Sequence, residues 1–162
     1  MIVIPANCWQ TMIERFATVT GLHECVAFLD GVGLGPEPQH GGVVTTVTLP
    51  DSDRQPGGWR VEAGRMSAAG QHLRAYRLVR LAQVHAHSGP WTRHSEIDDR
   101  LAYSQQLGTV SIVLPTHALT HPGLGDAGIH LREREGWRQL HAQEVGRHVK
   151  VVPSVLDHRL PR

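Results

Sequence analysis

Four residues between Val84 and Asp99, in VHAHSGPWTRHSEIDD, combine types and spacing that can do chemistry. His85 and His87 are two apart, Ser95 follows His87 after seven intervening residues, and Asp98 lies three beyond Ser95. Two imidazoles and a carboxylate form a three-ligand set that suits zinc and leaves a fourth position open for water. A structural zinc site normally takes four protein ligands, so three point to catalysis. HxH alone carries little weight in a chain with 12 His, and SxxD alone is usually a helix cap. The information lies in their joint order.

The surrounding sequence supplies elements that can position these residues. LAQVHAH followed by SGP reads as a short apolar strand running into a turn. Residues i and i+2 of a strand project from one face, so His85 and His87 point together. Ser95 is a capping residue type, and EIDDRLAYSQQL behind it has helical composition with acidic residues in its first turn, where the helix dipole favours them. Ser95 and Asp98, three apart, share one side of that helix. Asp99 is turned away by about 100 degrees, which makes it a partner behind the ligands rather than a ligand. A strand end and a helix start, joined by a Gly-Pro loop, thus bring His85, His87 and Asp98 to one ion.

HxH, seven residues, Ser, two residues and Asp resembles the JAMM motif of the JAB/MPN metalloprotease family. That family also has an upstream Glu just before an apolar strand ending in Gly, and Glu24 in HECVAFLDG fills the place. Glu14 competes by sequence distance but falls on the polar side of the first helix. One departure is that the family commonly has Pro after the second motif His, where this chain has Ser88, with Pro90 two places on. The similarity runs from MIVIP to GWRQL, so residues 1–162 are expected to form one JAB/MPN domain. The fold class implied is α/β, mixed α+β: a curved mixed β-sheet flanked by helices, similar to cytidine deaminases. The resemblance also implies roles. Zinc sits on His85, His87 and Asp98, Glu24 is the general base, and Ser95 donates a hydrogen bond to the oxyanion during hydrolysis of an amide bond.

Relatives of this kind are chiefly isopeptidases that cut after the C-terminal Gly of ubiquitin or a ubiquitin-like protein. A small form with HSEIDD resembles the bacterial JAB proteases found beside ubiquitin-like conjugation enzymes in antiphage defence operons. The partners implied are therefore a ubiquitin-like modifier, its conjugates, and the cognate activating and conjugating enzymes. The modifier tail is expected as an added strand along a sheet edge, with 51–58 and 115–128 as groove walls. Three alternatives remain: a JAB protease processing a sulfur-carrier protein or a RadC-like branch linked to DNA, a non-catalytic MPN scaffold, and a structural zinc site.

Elsewhere, IVI at 2–4 reads as a strand. Trp9, Met12, Ile13 and Phe16 recur at helical spacing, which predicts a helix over Ala6 to Val19 ended by Gly21. CVAFL, VVTTVTL and VSIVLP read as strands, DSDRQPGG as a turn before WRVE, and IHLRERE with WRQL as a hairpin around Gly136. Ser67 caps a second helix, about Ala68 to Arg80, with Arg74, Arg77 and Arg80 as a solvated basic face. The tail from His141 mixes VKVV strand character with a polar end. His117 and His121 lack a nearby Cys or carboxylate at a familiar metal spacing, His94 reads as a loop residue, and Cys25 as a core residue rather than a Cys-His nucleophile.

The chain has 162 residues, 40% hydrophobic and 19% charged, with net charge +1. That balance supports one globular domain and calls for neither nucleic acid nor a membrane surface. Two cysteines, Cys8 and Cys25, give no disulfide framework, which fits a reducing, cytoplasmic setting. No signal peptide or transmembrane run is evident at the start.

Overall fold

The computed structural model describes residues 1–18, 24–35, 37, 40–50, 53–55 and 58–154. Its frame is an eight-stranded mixed sheet in the order β10-β1-β3-β2-β6-β7-β8-β9. The strands are β1 (Ile2–Pro5), β2 (Cys25–Gly33), β3 (Gly42–Thr48), β6 (Val79–Ala86), β7 (Val110–Leu114), β8 (Gly128–Glu133), β9 (Gly136–Gln139) and β10 (Val149–Val152). A separate two-stranded ribbon, β4 (Asp53–Gln55) and β5 (Gly58–Arg60), occupies much of the expected 51–58 turn. Among the described residues four α-helices accompany the strands: α1 (Ala6–Ala17), α2 (Ala63–Tyr76), α3 (Glu96–Leu101) and α4 (Ala142–His148). None is long and apolar enough to cross a membrane, among the described residues.

The alternation of side chains along the central strands gives the sheet two buried faces of opposite character. One is apolar. Cys25, Ala27 and Leu29 of β2, Ala82, Val84 and Ala86 of β6, Val110, Ile112 and Leu114 of β7 and Ile129 of β8 all enter the main core. Trp9, Met12, Ile13 and Phe16 of α1 are buried in the same core, as their spacing predicts. The other face carries Phe28 and Val26 but also Asp30, Gln83, His85, Ser111 and His130, all buried.

Polar residues are tolerated there because they are paired. Asp30, fully buried at a β-bulge, accepts from Thr48 Oγ1 at 2.6 Å and from Arg80 Nε at 3.0 Å. The Arg80 guanidinium also lies 3.6 Å from the centroid of the Phe28 ring.

The sheet is curled. Leu140, just past edge strand β9, and Val149 of edge strand β10 line one cleft, and α4 bridges the two edges. β10 then pairs in parallel with β1, with Ile2 opposite Val149.

Several boundaries differ from the sequence expectation. α2 begins five residues before the expected start, after Glu62, and ends at Arg77 in the left-handed conformation (φ 55°), where Leu78 N–H closes onto Leu73 O at 2.8 Å. Arg80 is therefore not part of a solvated helical face. It belongs to β6, opposite Asp30, because the sheet claims the chain from Val79 onward. No side chain of α2 is fully buried, and Met66 is partly buried against Val26 and Phe28.

The motif helix is short. After Leu101 the chain turns extended, with Tyr103 N–H held by Gln83 Oε1 at 2.9 Å and the Tyr103 ring set edge-on against Phe28. The first helix ends at Ala17, and its expected end at Val19 and Gly21 lies outside the described residues.

Candidate functional site

His85 sits on the last turn of the β6 ladder, paired with Val26 across from it, and His87 follows one residue beyond the strand. Both point to the polar face, and both are buried. The turn after them depends on Gly89. A Cβ there would stand 1.8 Å from the ring of Trp91, which folds back over it. That fold brings Trp91 O to 3.2 Å from His87 Nδ1. A proton on Nδ1 donated to that carbonyl leaves Nε2 with its lone pair free, the tautomer a metal ligand needs. The backbone of the turn is fixed from the other side by β7 and its continuation: His87 N–H donates to Leu114 O, Thr116 N–H to Gly89 O, and His117 N–H to His87 O at 2.7 Å.

Asp98 arrives from α3. Ser95 caps that helix: its Oγ accepts from Asp98 N–H at 3.2 Å, while Asp98 Oδ2 accepts from Ser95 N–H at 2.7 Å and from Ser95 Oγ at 2.8 Å. The same carboxylate faces the imidazoles. His85 Nε2 is 3.2 Å from Asp98 Oδ1, His87 Nε2 is 3.3 Å from Asp98 Oδ2, and the two Nε2 atoms are 3.2 Å apart. Donor atoms about 2.0 Å from a tetrahedral zinc stand roughly 3.3 Å from one another. The three side chains, among the described residues, thus form a buried group that can hold a metal ion, and its edge lengths fit zinc.

Electrostatics follow from this convergence. Burial alone pushes the Asp98 carboxyl up, but hydrogen bonds and charge from His85 and His87, with the Ser95 backbone N–H, hold it far below the usual carboxylate range. Burial lowers His87, and the Asp98 hydrogen bond and charge outweigh it, so its pKa is raised.

Glu24 stands immediately before β2. The antiparallel register pairs Cys25 with Ala86 and Val26 with His85, and Glu24 lies one residue before this ladder, where the charges of His87 and His85 act on it. Only 8% of it is exposed. Burial pushes its carboxyl pKa up, opposed by the charges of His87 and His85. Glu14 lies on the exposed side of α1. Cys25 is sealed in the apolar core.

The sequence reading missed a second group beside the first. His94, expected as a simple loop residue, has a side chain only 5% exposed. Its Nδ1 is 2.8 Å from Asp99 Oδ1, its Nε2 is 3.0 Å from Ser111 Oγ, and its ring stacks on His130 at 3.8 Å. Burial and the charge of His85 lower its pKa. The signal was present as Ser in VSIVL and His in GIHL, polar residues at alternate positions of otherwise apolar strands.

His117 is also buried, in a left-handed turn (φ 53°), and neither of its ring nitrogens has a hydrogen-bond partner among the described residues. It joins no metal group among the described residues, and His121 is exposed.

No family model and no curated protein matches the sequence. Similar solved structures include a protein from Desulfitobacterium hafniense, 18% identical with a TM-score of 0.70 over 98% of this chain and 97% of that one. A JAB1/MPN domain protein from Archaeoglobus fulgidus is 16% identical, with a TM-score of 0.52 over 87% of this chain and 95% of that one. A protein from Salinibacter ruber is 15% identical, with a TM-score of 0.55 over 98% and 97%. The likeness is one of fold: a curled mixed sheet flanked by helices, as in the JAB/MPN domain.

Proposed function

We propose that this chain is a zinc-dependent isopeptidase of the JAMM type, hydrolysing the amide bond after the C-terminal Gly of a ubiquitin-like modifier. The JAB/MPN-like fold and the buried His85, His87 and Asp98 are consistent with a JAMM-type hydrolase. The observation that carries the reading is the buried carboxylate of Glu24, one residue before the strand that pairs with His85, beside a three-donor group with tetrahedral edge lengths. Three protein donors leave room for a substrate or water, as catalytic zinc sites do.

Zinc, if held by His85, His87 and Asp98, would supply Lewis acidity for the hydrolysis. The chain's own residues do the rest. Glu24 accepts a proton from the attacking water and delivers it to the departing amine, and burial raises its pKa above the usual carboxylate value. His87 is kept in the ligating tautomer by Trp91 O. Asp98 is kept ionised by its neighbours, so it offers a charged ligand. The Ser95 hydroxyl, whose proton points to Asp98 in this structure, turns outward to meet the oxyanion, a donor whose loss costs roughly a hundredfold or more.

The modifier as substrate, and a bacterial antiphage setting in the cytoplasm, rest on the resemblance of the HSEIDD run to defence-associated JAB proteases. The conjugating enzymes of such a system are the proposed partners, and one domain spanning the chain the proposed unit.

Zinc content and cleavage of a ubiquitin-like fusion, measured for the native chain and Glu24→Ala, test this. About one zinc per chain in both, with turnover lost by at least a hundredfold in the variant, is expected. Zinc without cleavage by the native chain removes the substrate assignment, and no zinc removes the metalloenzyme and leaves a scaffold.

A further inference from the structure

The ligands proposed above come from two elements that nothing in the strand ladder connects. His85 and His87 belong to the end of β6, whereas Asp98 belongs to α3, which forms no ladder and spans only six residues. A short helix has little packing of its own to hold a carboxylate in place. Something else must set its N-terminus against the sheet.

His94 is the side chain that reaches in. It lies just before the cap residue Ser95, and its imidazole is fastened at both nitrogens: to Asp99 of α3 on one side and to Ser111 of β7 on the other. Its backbone N–H is 3.3 Å from His130 Nε2, and its ring lies flat on His130, with Trp137 edge-on at 5.2 Å. The ring stands 5.8 Å, centroid to centroid, from that of His85. One buried ring therefore touches α3, β7 and β8 and flanks a metal-facing imidazole.

Ser111, His94 and Asp99 have the residue types of a nucleophilic triad, but Ser111 is fully buried in the middle of β7, where no substrate arrives. The arrangement fits a clamp instead. Ser111 Oγ–H donates to His94 Nε2, and His94 Nδ1–H donates to the Asp99 carboxylate, one donor and one acceptor as a neutral imidazole provides.

We propose that His94, locked between Asp99 and Ser111 and stacked on His130, is the positioning residue that docks the start of α3 on the sheet and so sets Asp98 against His85 and His87. The inference rests on the metal reading of that group and extends it to residues outside the motif. Partners behind the ligands typically govern metal affinity by ten- to a hundredfold, and a carboxylate displaced by a fraction of an ångström is a poorer ligand.

The test uses the full chain and zinc itself, by competition with a chromophoric chelator, together with the visible spectrum of the cobalt(II)-loaded protein as a report on ligand geometry. The variants are His94→Ala, His94→Gln, Asp99→Asn and Met12→Ala. Met12 lies in the main core on the opposite face, so its truncation loosens the fold without touching α3.

The expected result is a ten- to hundredfold loss of zinc affinity and an altered cobalt spectrum in His94→Ala, a smaller loss in Asp99→Asn, and partial recovery in His94→Gln, whose amide keeps a donor and an acceptor. Met12→Ala should melt at lower temperature with its zinc affinity and spectrum unchanged. Native affinity and spectrum in folded His94→Ala and Asp99→Asn overturn the proposal, as does an equal loss in Met12→Ala. If the native chain binds no zinc, the metal reading itself has failed, a result distinguishable from native binding that the His94 variants leave intact.

Discussion

Buried imidazoles here shift in opposite directions, His87 upward because of Asp98 and His130 downward because of burial, and His130 is the clearer case. It is 2% exposed, and burial, reinforced by the charges of His94 and His85, pushes its pKa down from 6.5 to about 3. The unfolded chain therefore binds a proton below about pH 6.5 that the folded chain refuses. Its contribution to stability is complete above that pH and is lost progressively as pH falls toward 3. Urea midpoints at pH 7.5 and pH 5 should show this: His130→Gln, which cannot titrate, should lose less stability between them than the native chain, by up to about 2 kcal/mol. An identical pH dependence in the two proteins would show that His130 is not the group responsible.

The residues that converge on the site were readable in advance only where chemistry imposes fixed spacing. His85, His87, Ser95 and Asp98 lie within fourteen positions of one another, so local geometry relates them. His94 with Ser111 and His130 spans 36 positions, and only the strand order of the sheet brings them together.

Among elements, strands were more legible than helix limits. VVTTVTL, VSIVLP and the hairpin at Gly136 carry β-branched runs and turn residues that act locally. α2 was misplaced because its start has no side-chain cap and its end is fixed by Arg77 in a left-handed turn, a choice made by the pairing of Val79 and Arg80 with β2.

The link between elements is tightest at Gly128, the first residue of β8. A Cβ there would lie 2.1 Å from Thr92 O, a backbone atom of the segment that leads to His94 and α3. Gly128→Ala should cost about 1–3 kcal/mol in chemical denaturation through overpacking. It should also weaken zinc binding, because Thr92 must move and carry the ligand helix with it. Lost stability with unaltered zinc affinity would separate β8 from the site.

At the scale of the whole molecule, a metal held by His85, His87 and Asp98 would join β6 to α3. A ligand bound only by the folded state adds RT ln(1 + [L]/Kd), about 2.7 kcal/mol at a hundredfold excess over Kd. Chelation should accordingly lower the melting temperature by several degrees, and zinc should restore it in proportion to the logarithm of its concentration. A melting temperature indifferent to both would mean that no ion is held.

The curvature of the sheet was legible through the resemblance to the JAB/MPN family alone, since no local pattern announces that strands at opposite ends of the chain will pair. Ile2 lies beside Val149, and Pro5 beside Val152. That neighbourhood has a kinetic meaning. Closing a contact across nearly the whole chain is slow and comes late. Until β10 arrives, β1 presents one unpaired edge, a template for another chain. The protein should therefore be most prone to aggregate during synthesis and refolding, with α4 acting as the tether that shortens the search by delivering β10 to its neighbour.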